Sequence, residues 1–315
     1  MPRPPPEGND RDVVSPDEAF ALLGNDTRVG ILQALWAAFE SGKSDNALPY
    51  SELFAQVDIE DSGNFSYHLE KLTGPFVRTT DGGYELKQTG INVVRAVVAG
   101  TVTTDSAVGP TVVNVDCPLC SSPVEIAYAD EFMNISCTTC GGRSRWNDES
   151  GHLFGALVPP MGVDQHSVEQ AFHAAVTYSL HEMAIFHEGV CPHCLGAVDM
   201  TIDACTDHKP TDSGRCPNCD RLNMADVWMV CSTCKRSMPP SITIVVLNHP
   251  EVTAFYHEHD IKHRFATWET VDRSYRVGEE LVSEDPFRMR ATIPAGDDEL
   301  GLVLDDKVNV VDVSP

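Results

Sequence analysis

Ten of the eleven cysteines in this 315-residue chain stand in Cys-x-x-Cys pairs: Cys117/Cys120, Cys137/Cys140, Cys191/Cys194, Cys216/Cys219 and Cys231/Cys234. The eleventh, Cys205, opens a Cys-x-x-His unit that ends at His208. A Cys-x-x-Cys turn lets two thiolates converge on one cation, and two such units complete a tetrahedral zinc site. In sequence order the units form three sets: Cys117, Cys120, Cys137 and Cys140; Cys191, Cys194, Cys205 and His208; Cys216, Cys219, Cys231 and Cys234. Twelve ligands therefore predict three Zn2+ ions with none left over. The grouping of the second and third sets stays open. The same spacings allow a crossed arrangement, with Cys191/Cys194 joined to Cys231/Cys234 and Cys205/His208 joined to Cys216/Cys219. A site filled by four protein ligands leaves no position for water or substrate, so these ions are expected to support the fold.

Other uses of cysteine fit less well. Disulfide frameworks of secreted proteins rarely repeat one spacing. Residues 1–12 are proline-rich and polar, without the apolar stretch of a secretion signal. A redox Cys-x-x-Cys normally occurs once, at a helix start after a strand. The segments between the ligands are short, with few apolar residues, and need a metal clip to offset the chain entropy lost on folding. They suit ribbon strands: residues 124–127 and 133–136 in the first set, 197–202 in the second and 225–230 in the third. Residues 164–188 read as a helix between the first and second sets. Its apolar stripe of Val168, Phe172, Ala175, Tyr178 and Met183, widened by Val176, Leu180 and Phe186, must pack on the ribbons or on a second subunit.

The tail reads as a separate α+β piece. A strand is expected over residues 242–247, a helix from Pro250 through His259, and strands over 287–293, 300–304 and 308–313. His257, His259 and His263 cluster there, but not in the His-Glu-x-x-His order of a zinc protease, so a solvated helix face is expected. Phosphate-binding glycine loops, nucleotide fingerprints and Gly-x-Ser-x-Gly elbows are missing from the sequence. No catalytic residue and no enzyme activity are predicted.

The N-terminal third follows a different logic. Ser15-Pro16-Asp17-Glu18 is a capping box with proline at the first helical position. Asn25 or Asp26 caps a second helix with Ile31, Leu32, Leu35, Trp36 and Phe39 on its period, and residues 42–46 form a loop. Residues 51–57 read as a third helix. Ser62 caps a fourth, with Phe65, Leu69 and Leu72 on one face and Gly63, Asn64, Tyr67, Glu70 and Lys71 opposite. A β-hairpin turning at Asp81-Gly82-Gly83 and a last helix over 91–98 complete the segment. Helices followed by a two-stranded wing make a winged helix-turn-helix.

The segment also resembles the ArsR-like winged-helix transcription regulators. Leu23-Gly24-Asn25-Asp26-Thr27-Arg28-Val29-Gly30-Ile31-Leu32 is similar to that family's helix-opening stretch, and Ser66-Tyr67-His68-Leu69-Glu70-Lys71-Leu72 to its recognition helix. The resemblance covers about residues 15–100, roughly one domain. It implies double-stranded DNA as partner, contacted by Asn64, Ser66, Tyr67 and Lys71, with Arg78 and Lys87 near the backbone. Residues 51–57 lack the cysteine pair of the metal-sensing members, so that sensing is not implied. His68 flanks the apolar stripe and is expected to orient the helix rather than read a base.

Charge sets the frame. The chain carries 47 acidic against 22 basic residues, net −25, and only seven lysines. This resembles cytoplasmic proteins of halophilic archaea, and the whole arrangement resembles haloarchaeal winged-helix regulators with zinc-ribbon-like tails. Residues 1–61 are net −8, 62–100 net +1, and 101–315 net −18. The stretch spared the acidic bias is the one that resembles a DNA reader. No apolar run approaches a membrane span.

The expected fold class is α+β: an N-terminal winged helix-turn-helix, zinc-ribbon modules, and a small C-terminal α+β region with a β-meander. The expected boundaries are a disordered tail at 1–14, the DNA-binding domain at 15–100, a linker at 101–111 and a zinc ribbon at 112–158. A helix at 159–189, two compact zinc modules at 190–238 and the α+β region at 239–315 follow. The expected protein is a cytoplasmic homodimeric DNA-binding regulator. A zinc-ribbon adaptor for the transcription machinery or RNA is the alternative.

Overall fold

The computed structural model describes residues 15–39, 46–100, 106–142, 151–211, 215–239 and 241–314. The expected tail at 1–14, most of the loop at 42–46 and the first half of the expected linker lie outside the described residues. The chain divides into two units, residues 1–104 and 105–315.

In the first unit, helix α1 (Pro16–Leu23) starts with the expected capping box: the Ser15 hydroxyl accepts from the Glu18 N–H, and the Ser15 N–H donates to the Glu18 carboxylate. Helix α2 (Asp26–Ala38) is capped by Asn25 and buries Ile31, Leu32 and Leu35. Helices α3 (Tyr50–Ala55) and α4 (Ser62–Leu72) pack on it through Leu53, Phe65, Leu69 and Leu72. Each such large side chain, fully buried, contributes about 1.5–3 kcal/mol. Phe65 sits edge-on to both Tyr50 and Phe54, with centroids 5.3 and 5.1 Å away. The cap of α4 differs from the expected Ser62. Asp61 holds it, accepting from Gly63 and Asn64 N–H at 2.7 and 3.3 Å, because a carboxylate is favoured at the positive end of a helix.

Strands β1 (Val77–Thr80) and β2 (Gly83–Leu86) form the hairpin, and α5 (Gln88–Val98) closes the unit with Ile91 and Val94. Gly83 turns at φ +129°, and a Cβ there would lie 2.1 Å from the Leu48 carbonyl oxygen, so this turn requires glycine.

The second unit opens on an antiparallel sheet in the order β3 (Val108–Asp116), β4 (Pro123–Ala129), β5 (Phe132–Cys137), β6 (His152–Leu157). The expected linker therefore ends earlier than residue 111: from Val108 the chain is already a strand. A short helix α6 (Met161–Asp164) leads to α7 (Val168–His187), the hub of the unit. Its Phe172, Ala175, Val176, Leu180 and Phe186 are fully buried in one core shared by the ribbons and the tail. Most of the stripe that offered itself to a second subunit is thus spent inside the chain, while Tyr178 remains 47% exposed.

Next comes a three-stranded ribbon, β7 (Val198–Ala204), β8 (Ala225–Cys231) and β9 (Ser237–Met238). The expected two compact modules at 190–238 are in fact this single ribbon. Residues 242–246 are helix α8 (Ile242–Val246), not the expected strand. All five are buried, four of them apolar with Thr243 the exception, and a run buried on every side carries no period to separate helix from strand. Helices α9 (Pro250–Glu258) and α10 (Trp268–Ser274) follow. The meander β10 (Gly278–Glu284), β11 (Phe287–Ala295), β12 (Asp298–Leu304), β13 (Val310–Ser314) ends the chain. Its inner face pairs Met289 with Leu304, Ala291 with Leu302 and Ile293 with Leu300, joining the tail to the common core rather than setting it apart.

Candidate metal centres

All twelve predicted ligands gather into three groups of four, and within each group the ligand atoms lie within 4.8 Å of one another. The first is the expected one. The β4–β5 register sets Val124 opposite Cys137, which brings the turn of Cys117 and Cys120 beside that of Cys137 and Cys140. Cys117 Sγ lies 3.7 Å from Cys140 Sγ, and Cys120 Sγ 3.5 Å from Cys137 Sγ.

The other two groups correct the in-order sets. Cys191 and Cys194 meet Cys231 and Cys234, with Sγ separations of 3.6 Å (Cys191–Cys234) and 3.5 Å (Cys194–Cys231). Cys205, His208, Cys216 and Cys219 form the remaining group. The reason is the ribbon. One strand, β7, separates Cys194 from Cys205, and one strand, β8, separates Cys219 from Cys231. A seven-residue strand carries the chain roughly 20 Å, so its two ends cannot share an ion. The antiparallel register, Val198 opposite Cys231 and Ala204 opposite Ala225, instead pairs near end with near end and far end with far end.

The local backbone builds the ligand turns the same way four times. After the second cysteine of the pairs at 117, 191, 216 and 231, the next residue turns into the left-handed region: Ser121, Leu195, Asp220 and Lys235, at φ +56 to +64°. Each donates its N–H to the first cysteine's carbonyl, at 2.8–3.1 Å. The first cysteine's N–H returns a bond to the carbonyl one residue further on, at Ser122, Gly196, Arg221 or Arg236. None of the four turning residues is glycine, so the sequence carried no glycine signal for these turns. Backbone N–H groups also point at sulfur: Thr139 and Cys140 toward Cys137, Cys234 toward Cys231, and Lys209 toward Cys216, all at 3.3–3.4 Å.

The donor sets fit a soft tetrahedral cation. Zinc–thiolate bonds of about 2.3 Å place tetrahedral sulfurs about 3.8 Å apart, close to the separations here. His208 turns Nδ1 toward the cluster, 3.5 Å from Cys219 Sγ, while its Nε2 lies 3.2 Å from the Leu222 carbonyl oxygen. That outer bond makes Nε2 the donor and leaves the Nδ1 lone pair for a metal. As free thiols the ligands would ionise unequally. Burial pushes the Cys117 thiol up to about 12, and hydrogen bonds from the Ser122 hydroxyl and backbone hold Cys120 down at about 6. The Cys234 N–H likewise holds Cys231 at about 6. A cation that takes four thiolates must displace the protons of the reluctant members, so binding releases protons.

The histidine cluster of the tail does not converge. His259 binds the Phe255 carbonyl and Asp298, while His263 donates from Nε2 to the Leu247 carbonyl and accepts from Arg273 at Nδ1. Among the described residues they join no metal-ligand group.

The six residues expected to meet DNA divide in two. Asn64, Tyr67 and Lys71 are exposed along α4, with the Lys71 ammonium 5.6 Å above the Tyr67 ring. Ser66, Arg78 and Lys87 have partners within the unit. Ser66 Oγ donates to the Ser62 carbonyl and lies 2.7 Å from the Tyr50 hydroxyl. Arg78 Nε donates to buried Glu85 at 2.6 Å, and Lys87 Nζ binds the Gly74 carbonyl. His68 flanks the core, and its buried Nδ1 has no protein partner; burial holds the ring below its usual pKa.

The two units coincide with two family matches. Residues 114–310, more than half of the chain and all twelve ligands, match the Domain of unknown function (DUF7351). The chain belongs to the DUF7351 family. Residues 16–97 match a second one, the Domain of unknown function (DUF7347). Neither the curated proteins nor the solved structures compared with this DUF7351 chain gave a match. No helix among the described residues is long and apolar enough to cross a membrane.

Proposed function

We propose that this protein is a zinc-stabilised transcription regulator that reads double-stranded DNA through α4. The observation that carries the reading is the division of that helix. Phe65, Leu69 and Leu72 anchor one face in the core, and Asn64, Tyr67 and Lys71 stand exposed on the other. The hairpin that follows suits a wing. Polar and aromatic side chains on a helix held from behind are what major-groove readout needs. The three four-ligand groups suit zinc in a structural role, because every tetrahedral position is met by protein.

The test is binding of the intact protein to its own promoter and to a scrambled duplex at several salt concentrations. Asn64→Ala or Tyr67→Ala should lose preference for the promoter, by about 1–3 kcal/mol per base contact. Lys71→Ala should weaken both duplexes alike and flatten the salt dependence. The preference should survive high salt, because the acidic second unit repels DNA most strongly when screening is weak. Equal binding of both duplexes by wild type, unmoved by these variants, refutes the reading.

One observation favours a second reading, the adaptor in which the first unit contacts protein. Arg78 and Lys87, two cations near the expected phosphate path, are committed to Glu85 and Gly74. Retention of RNA polymerase or a basal factor, with no duplex preference, would support it.

A further inference from the structure

Between the β3–β6 sheet, α7 and the β7–β9 ribbon lies a cleft of about 900 Å³. This is the size of a pocket that encloses a small organic molecule. Its two ends differ in chemistry. One wall is apolar: Phe132, Phe154 and Leu157 come from the first sheet and Trp228 from the ribbon. Leu157 is 46% and Trp228 41% exposed, an unusual loss of burial for side chains this large that line one cavity together. The Phe132 ring lies over Gly155, so close that a Cβ there would sit 2.3 Å from its Cζ.

The other end holds a buried ion pair. Glu182, its side chain 8% exposed, takes the Tyr178 hydroxyl on one oxygen at 2.9 Å and Arg236 Nη2 on the other at 2.7 Å. Both carboxylate oxygens are therefore engaged. Arg236 is not exhausted. A guanidinium has five N–H donors, and among the described residues only this one bond uses them. Its side chain lines the cleft. Asp226, which also lines the cleft farther along β8, is matched by Arg221 at 3.2 Å. At Arg236 the cleft thus has donors to spare in planar fork geometry, and the Glu182 carboxylate beside it is already matched; Asp130 lines the cleft next to Phe132. That fork geometry fits the paired oxygens of a carboxylate or a phosphate, and an aromatic wall beside one partly used guanidinium favours the singly charged, less hydrated carboxylate. The N–H donors that one guanidinium has left beyond its bond to Glu182, in a chain of net −25, do not suit a polyphosphate.

We propose that this cleft is a binding site for a small monocarboxylate with an apolar, aromatic body, the carboxylate on Arg236 and the body between Phe132, Phe154, Leu157 and Trp228. The site stands independently of the DNA reading, and its test does not involve DNA. The metal-loaded full chain is titrated with 1-naphthaleneacetate and with its neutral amide, followed by calorimetry and tryptophan fluorescence. The acid should bind about tenfold more tightly than the amide, the worth of one charge-assisted bond. The double variant Glu182→Gln/Arg236→Gln removes both charges together, so no buried charge is left alone. It should bring the preference close to one while the metal content stays at the wild-type value. Leu157→Trp, at an exposed position, fills the cleft and should weaken acid and amide alike by about tenfold or more. Equal affinity of acid and amide for wild type overturns the proposal, as does absence of binding at millimolar concentration. Unchanged binding in Leu157→Trp places the ligand elsewhere and overturns it as well.

Discussion

Replacing Cys205 by serine separates the crossed ligand grouping from the in-order one. Cys205 belongs with His208, Cys216 and Cys219 at the far end of the ribbon, roughly 20 Å along β7 from the group of Cys191. A structural zinc site is worth about 10–16 kcal/mol, so one ligand in four accounts for roughly 2.5–4 kcal/mol. Cys205→Ser should therefore weaken one ion by about a hundredfold to a thousandfold and leave the other two untouched. Under a chelator that strips the weakened site, metal analysis should fall from about three ions per chain to about two. Alkylation with peptide mapping then tells which thiols are released. Cys216 and Cys219 should become reactive, while Cys191, Cys194, Cys231 and Cys234 stay protected. The opposite pattern, Cys191 and Cys194 labelled with Cys216 and Cys219 protected, would falsify the ribbon register on which the grouping rests. Wild-type protein with no metal and eleven free thiols would remove the metal sites altogether.

Further outcomes follow from single side chains. Leu195, 78% exposed, holds φ +57°; Leu195→Gly should raise stability to denaturant by about 1 kcal/mol without loss of metal. Arg78→Ala strands the buried Glu85 carboxylate and should destabilise the first unit by about 1–2 kcal/mol in thermal unfolding, so any effect on DNA must be read against that loss. Burial and the neighbouring Arg273 hold His263 below its usual pKa. The unfolded chain then binds the extra proton first, so this contribution to stability is present above the unfolded pKa of about 6.5 and is lost as pH falls through the folded value. His263→Asn should show a shallower decline in melting temperature than wild type from pH 7 downward. Phe65→Ala empties the centre of the first core and should cost about 3–5 kcal/mol, measured by loss of its cooperative unfolding transition.

The sequence was most legible where one physical rule dominated. Phe65, Leu69 and Leu72 share a helical face because their spacing matches the helical turn, and no other element overrode it. The metal ligands were legible because chance does not pair ten cysteines at one spacing. Their grouping was also within reach. The strands expected at 197–202 and 225–230 already lay between the ligand units, and a single extended strand cannot return to its own start. Other features had no local signature. Residues 242–246, four apolar and one threonine, show no period, so burial decided their conformation. Strand β10 buries none of its residues and has only Leu281 and Val282 as large apolar side chains, so pairing with β11 alone defines it. That Arg78 and Lys87 are engaged within the unit depends on cross-strand register and turn geometry, which composition does not carry.

The two ligand groups of the ribbon are nested, and nesting dictates an order of closure. Joining Cys191/Cys194 to Cys231/Cys234 directly closes 36 intervening residues between Cys194 and Cys231, whereas joining Cys205/His208 to Cys216/Cys219 closes only seven between His208 and Cys216. Loop-closure entropy makes the short loop about 1.5 kcal/mol easier to form, roughly tenfold in probability. Once the distal ion is held, Ala204 and Ala225 already face each other, and β7 and β8 can zip toward Val198 and Cys231 one residue pair at a time. The second group then assembles as the last step of a hairpin whose register the first has set. An ion held by the distal group would thus act on the folding pathway as a nucleus, and one in the outer group as the lock that follows it.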